Sequence, residues 1–205
     1  MEIEMNSQKL SRKEATIARS EAILESAMDV FSERGFYEAD VGEIAERANV
    51  GKGTVYNHFG NKQKLFLSVV EWGLETLKEK IINETRDLLN FKDKINTALY
   101  VYFSFFEYRK NFFRVLIYEK SNFREQMEKR FTKKYFTHLH LLENAIKRGI
   151  ESGELKRVDP HQCAVLLLGM SNALIYDWFW NEMDDKLTDR ITIVEELFFS
   201  GLMKQ

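Results

Sequence analysis

One cysteine, Cys163, and one proline, Pro160, stand in a chain of 205 residues. The single cysteine excludes an internal disulfide and so a disulfide-built scaffold. One proline and ten glycines leave few enforced breaks. That scarcity favours helices and argues against a sheet sandwich, whose turns recur every ~8–12 residues. The longest fully apolar runs, such as Cys163 to Leu168, fall well short of the ~18–20 residues that cross a bilayer, so no membrane span is expected. The N-terminus has neither the apolar stretch nor the small-residue cleavage site of a secretory signal, which points to the cytoplasm. An excess of positive charge is also missing. Lys and Arg number 30 against 32 Asp and Glu, a net charge of −2, so contact with a polyanion must come from a local basic patch.

Apolar residues make up 44% and charged residues 30%, a balance that specifies a folded chain with a core. Residues 1 to 65 hold only five aromatics (Phe31, Phe36, Tyr37, Tyr56, Phe59) but five of the ten glycines, the composition of short helices joined by tight turns. The remainder, rich in aromatics, reads as long helices. The expected fold is all-α with about nine helices, in two domains: residues 1–65 and residues 66–205.

Along the first helix, expected over about residues 12 to 34, Ile23, Ala27 and Phe31 recur every four positions, and Arg34-Gly35 supplies its stop. The eleven residues before it lack periodicity and read as a mobile basic arm. Asp40 with Glu43 three residues on resembles a capping box and opens a short helix through Val41, Ile44, Ala45 and Ala48. Asn49-Val50-Gly51 breaks that helix. A second short helix, Lys52 to Phe59, ends at Gly60, and Asn61 caps a fourth helix running through Leu65, Val69, Trp72 and Leu77. Further helices are expected over residues 92–109, near 112–118, over 123–151, from Pro160 to about Met183 after an Asp159-Pro160 start, and from Leu187 to Met203. The last two are apolar on more than one face, as helices are when they meet a partner as well as their own core.

Two short helices joined by a three-residue turn form a helix-turn-helix, whose second helix enters the major groove of DNA. In that second helix Val55 and Phe59, four apart, turn inward and leave Lys52, Thr54, Tyr56, Asn57 and His58 around the outer surface. Lys52 can donate to guanine or phosphate, Thr54 and Tyr56 to phosphate oxygens, and Asn57 to a base edge; Gly53 lets the backbone approach the duplex. Lys62 opens the fourth helix, where its charge joins the free N–H groups of the helix start.

The residue order Phe36, Val41, Ile44, Ala45, Ala48, Val50, Gly51, Lys52, Gly53, Thr54, Val55, Tyr56, His58, Phe59, Asn61, Lys62, Leu65 resembles the TetR/AcrR family of transcriptional regulators, over about residues 17 to 66. The segment 149 to 155 agrees as well. The resemblance implies a homodimer, an N-terminal domain that reads a double-stranded DNA operator, and a C-terminal domain that binds an effector and dimerises. It also implies DNA contacts by Lys52, Gly53, Thr54, Tyr56, Asn57 and Lys62. Where the family often has a capping threonine and, two positions later, a basic or polar residue, this chain has Asp40 and Gly42. With residues 1–65 also netting −2, acids such as Glu33 must face away from DNA while Arg47, Lys52, Lys62 and Lys64 turn toward it.

Nine aromatics crowd residues 100–118, more than one helix face requires, so Tyr102, Phe103, Phe106 and Phe113, with Phe136, Tyr176 and Trp180, are the candidate lining of an effector cavity. A small hydrophobic or aromatic effector fits such a lining, of fatty-acyl or flat aromatic type. No metal site is expected: His138 and His140 lie two apart on different helix faces, as do His161 and Cys163. No nucleophile, base and orienter are grouped and no loop cradles a phosphate, so neither an enzyme nor a cofactor is expected. The function read from these residues is a ligand-responsive regulator, a repressor on a palindromic operator. The alternative is a helical ligand-binding or scaffold protein with weak DNA affinity.

Overall fold

A computed structural model describes the backbone over residues 2–122, 139–181 and 185–202, and side chains over 14–117, 139–181 and 185–201. Among the described residues there are helices and turns and no strand. The chain divides into two compact units, one of residues 1–73 with 111–122, the other of residues 74–110 with 123–205.

In the first unit, α1 (Glu2–Glu38) is longer than its apolar periodicity suggests, beginning at Glu2 where an arm was expected. No glycine or proline interrupts residues 2–34, and good helix formers such as Glu, Gln, Lys, Arg and Ala fill most of the first fifteen positions. The break comes at Gly35, whose φ of 71° only glycine adopts cheaply, and a last helical turn follows. α2 (Val41–Arg47), α3 (Lys52–Phe59) and α4 (Lys62–Thr85) follow in close succession. Ile23, Ala27 and Phe31 of α1 are fully buried, as are Ile44 and Phe66. The Phe31 and Phe66 rings meet edge to face at 4.9 Å. α6 (Lys110–Asn122) contributes Phe112 and Val115 to this unit, and Asn111 donates to Asp29 of α1 at 3.0 Å.

α5 (Phe91–Tyr108) is the centre of the second unit, with eight buried residues from Phe91 to Phe106. Asn90 caps it by accepting from the Asp93 N–H at 2.7 Å, and Glu154 accepts from the Phe91 N–H at 2.8 Å. α7 is described over residues 139–151; the expected helix portion at 123–138 lies outside the described residues. α8 (Pro160–Trp180) starts where Asp159 accepts from the Gln162 N–H at 2.9 Å with proline in the first turn. A short 3-10 turn, Leu187–Arg190, leads into α9 (Ile191–Leu202). Glu107 of α5 accepts from the Thr188 N–H at 2.9 Å, and Trp178 donates to the Asp185 carbonyl at 3.0 Å, so Asp185 and Thr188 are tied to α8 and α5 respectively. By length and mean hydropathy (1.3) α8 could cross a membrane, which the count of unbroken apolar runs did not register; a third of that window is buried within the unit.

Candidate DNA interface and effector cavity

The turn between α2 and α3 is built from backbone bonds. The Ala48 N–H donates to Ile44, the Val50 N–H reaches back to Ala45 at 2.9 Å, and the reversal falls on Asn49 with φ 53°. Asparagine is one of the few residues that tolerates this conformation. Gly51 is extended and serves as N-cap of α3. Val55 is buried and Phe59 half-buried, which anchors one side of α3 and leaves Lys52, Gly53, Tyr56, Asn57 and His58 exposed, with Thr54 half-buried. Gly60, at φ 81°, ends the helix, and Asn61 caps α4 by accepting from the Lys64 N–H at 2.8 Å. All six predicted α3 residues therefore stand on one short helix, and Lys62 is the first residue of the next.

Lys62 is held in place. Its ammonium donates to the Tyr37 carbonyl at 2.8 Å and sits 5.1 Å from the centre of the Phe36 ring. Partial burial lowers its pKa, against the opposing pull of Asp40 and Glu38. Lys52 lies 3.3 Å from the Asp40 carboxylate. Arg47, expected among the cations turned toward DNA, is instead engaged by Glu33 of α1 and by Glu43 on its own helix, each at 2.7 Å; Arg34 reaches Glu43 at 2.8 Å. The local cause is spacing: Glu43 and Arg47 are four apart on α2, and α1 lies alongside. These partners raise the pKa values of Arg47 and Arg34 and lower those of Glu33 and Glu43, in each case chiefly through the side-chain hydrogen bonds.

The second unit contains a cavity of about 600 Å³, within the ~300–1,000 Å³ range of small-molecule sites. Its apolar wall comes from Ile81 and Ile82 of α4, Ile95, Ala98 and Leu99 of α5, Leu141, Leu142 and Ala145 of α7, and Leu167 and Leu168 of α8. Tyr102, Thr85 and Ser171 add hydroxyls, and Tyr102 donates to Asn172 at 2.8 Å. Among the described residues, the charged members of the lining are the cations Lys78, Arg86, Lys94 and Arg148, with no carboxylate. Lys78 pairs with Glu75, and Arg86 donates to Asn83 at 2.9 Å.

Of the aromatic residues expected to line a cavity, Tyr102 does so. Phe103 and Phe106 are buried elsewhere on α5, Phe113 is buried in the first unit, Tyr176 is half-buried on α8 away from the lining, and Trp180 is 64% exposed. Phe136 lies outside the described residues. The lining that periodicity did not single out is aliphatic and basic, drawn from four helices distant in sequence. Among the described residues no group of three His, Cys, Asp or Glu is placed to hold a metal ion.

The chain is similar in sequence and fold to known proteins. Residues 23–69 match the bacterial regulatory proteins of the tetR family, and residues 89–184 match the tetracyclin repressor-like C-terminal domain. The HTH-type transcriptional regulator YhgD of Bacillus subtilis is 31% identical over 166 residues, 80% of this chain and 85% of the relative. The fatty acid metabolism regulator protein of the same organism is 24% identical over 181 residues, 88% of this chain and 93% of that one. Among solved structures, the fatty acid degradation regulator FadR of Bacillus halodurans superposes with a TM-score of 0.81 at 21% identity, covering 88% of this chain and 98% of that one. FadR of Bacillus subtilis, solved in complex with stearoyl-CoA, gives the same TM-score at 24% identity over 88% and 97%. Two matched domains, a relative above 30% identity aligned over most of both chains, and a helix-turn-helix with its reading face exposed lead to one conclusion: the chain belongs to the TetR family of bacterial transcriptional regulators.

Proposed function

We propose that this regulator is a cytoplasmic homodimeric repressor that holds a palindromic operator through α3 of each protomer and releases it when a long-chain acyl thioester of coenzyme A fills the cavity. The observation that carries the effector assignment is the lining: an aliphatic slot whose four charged residues, among the described ones, are all cations. An apolar chain suits the slot, and a headgroup with several phosphates suits the cations better than a single carboxylate does. The likeness to the fatty acid metabolism regulator and to the stearoyl-CoA complex agrees with this chemistry.

α4 supplies the physical link. Lys62 is its first residue, and Lys78, Ile81, Ile82 and Thr85, in its last two turns, line the cavity. Half-sites one helical turn apart need the two reading helices ~34–36 Å apart, so an effector that displaces α4 alters affinity without touching DNA. A 100-fold preference between two states is about 2.7 kcal/mol, matched by about 110 Å² of apolar surface buried in only one of them at ~25 cal/mol/Å². The dimer is supported by an exposed apolar stripe: Val165, Leu166, Gly169 and Ala173 of α8 at helical spacing, with Ile193, Leu197 and Gly201 of α9.

Calorimetric titration of lipid-stripped protein with oleoyl-CoA, oleate and free coenzyme A tests the effector. Oleoyl-CoA should bind most tightly, oleate more weakly, and coenzyme A without its tail weakest. Equal binding of oleate and oleoyl-CoA would remove the headgroup assignment.

A further inference from the structure

Asp40 caps α2 with the same oxygen that faces Lys52: Oδ1 accepts from the Gly42 N–H at 2.5 Å and lies 3.3 Å from the Lys52 ammonium. Gly42 leaves room beside the pair: a Cβ there would stand 3.1 Å from Oδ1, tighter than usual, and 3.7 Å from Lys52 Nζ, an ordinary contact. Asp40 and Gly42, the two positions where the helix-turn-helix departs from its family's pattern, thus form one device directed at the first residue of the reading helix. The carboxylate stays ionised well below neutral pH, because the Gly42 N–H and then Lys52 hold its pKa down.

We propose that Asp40 is an affinity-setting residue: its carboxylate competes with DNA for Lys52, so that every encounter with a duplex must first break an internal ion pair. This rests on the reading of α3 as the DNA-contacting helix. Both partners are more than half exposed, at 66% and 53% of their side chains. The pair is therefore weak and exchangeable, and Lys52 is attenuated without being locked. Competition of this kind lowers affinity for operator and unrelated DNA alike, since the same pair is broken in both complexes.

The test is a titration of fluorescent duplexes, one carrying the DNA upstream of the protein's own coding region and one unrelated duplex of equal length, against the full chain. Asp40→Asn retains the cap, asparagine being as good an N-cap as aspartate, and removes the charge. Asp40→Ser is a second neutral cap, and circular dichroism checks that both variants fold. Both variants should bind both duplexes about two- to fivefold more tightly at low salt, the range set by an exposed ion pair, with the gain shrinking as salt rises. In a Lys52→Met background the gain should vanish. Unchanged or weaker binding by the neutral variants overturns the proposal, as does a gain that persists without Lys52, because the carboxylate would then act on phosphate directly. A wild-type chain that binds neither duplex in a salt-sensitive way overturns the reading of α3 itself, and this proposal with it.

Discussion

Arg47 and Glu33 form a two-pronged bond, Nη1 and Nη2 donating at 2.9 and 2.7 Å, and the same Nη2 donates to Glu43 at 2.7 Å. One guanidinium thus ties α2, which supports the reading helix, to α1. The same guanidinium therefore holds a carboxylate on each of the two helices.

A pH dependence follows. Glu33 and Glu43 have pKa values below their ordinary 4.5 because Arg47 and Arg34 hydrogen-bond to them. A carboxylate with a depressed folded-state pKa contributes its stability in full above the unfolded value and loses it as pH falls through the folded value. The wild type should therefore lose thermal stability on acidification below about 4.5, and Arg47→Met, less stable at neutral pH, should show a shallower loss over the same range. Thermal melts of both proteins from pH 7 to pH 3 check this; parallel curves would remove the network from the account.

Lys62→Ala should weaken binding to all duplexes by a similar factor and reduce the slope of log affinity against log salt by about 0.9, the value for one lost phosphate contact. The Tyr37 carbonyl and Phe36 ring hold the ammonium in place, so Lys62→Arg, with a different reach, should restore only part of the slope. A slope that does not change on removing Lys62 would take it off the interface.

Gly73 of α4 and Phe112 of α6 are in close approach within the first unit: a Cβ at residue 73 would collide with the Phe112 ring, which is itself fully buried. Gly73→Ala should therefore destabilise the protein by about 1–3 kcal/mol in urea unfolding, the cost of overpacking a dense core. Combining it with Phe112→Leu should recover part of that loss.

Local punctuation carried much of the fold. The breaks at Asn49-Val50-Gly51 and Gly60 and the Asp159-Pro160 start fall at or within a residue or two of the observed helix ends, and Gly35 marks the kink three residues before the end of α1, because caps and left-handed turns depend on a few adjacent residues. The outer face of α3 was readable for the same reason, since Val55 and Phe59 settle its orientation. The cavity was not. A stripe of aromatics such as Phe103, Phe105 and Phe106 signals burial without saying whether the side chain meets a neighbour or a void, and these rings proved to be core. The lining of the cavity in the second unit joins α4, α5, α7 and α8 across almost a hundred residues. The one signal that could have found it is the placement of Lys78, Lys94 and Arg148 beside apolar helix faces. The ion pairs of Arg47 were not legible, because charge alone does not reveal that Glu33, fourteen residues away, would engage it.

Filling the cavity should separate effector response from DNA binding. Ala98→Trp places a bulky ring in the aliphatic wall of the second unit, while the reading helix lies in the first. The variant should bind operator as the wild type does and respond at least tenfold less to oleoyl-CoA, the loss expected when about 1.4 kcal/mol or more of apolar burial is blocked. Equal loss of operator binding would show that the substitution had disturbed the fold as a whole.

The most direct test of the account is the affinity of the purified protein for the DNA upstream of its own coding region, measured with and without oleoyl-CoA at fixed salt. The account predicts a sequence-selective, salt-sensitive complex that oleoyl-CoA weakens by one to two orders of magnitude while free coenzyme A leaves it intact. A complex that oleoyl-CoA leaves unchanged, or no selective complex at all, would contradict it.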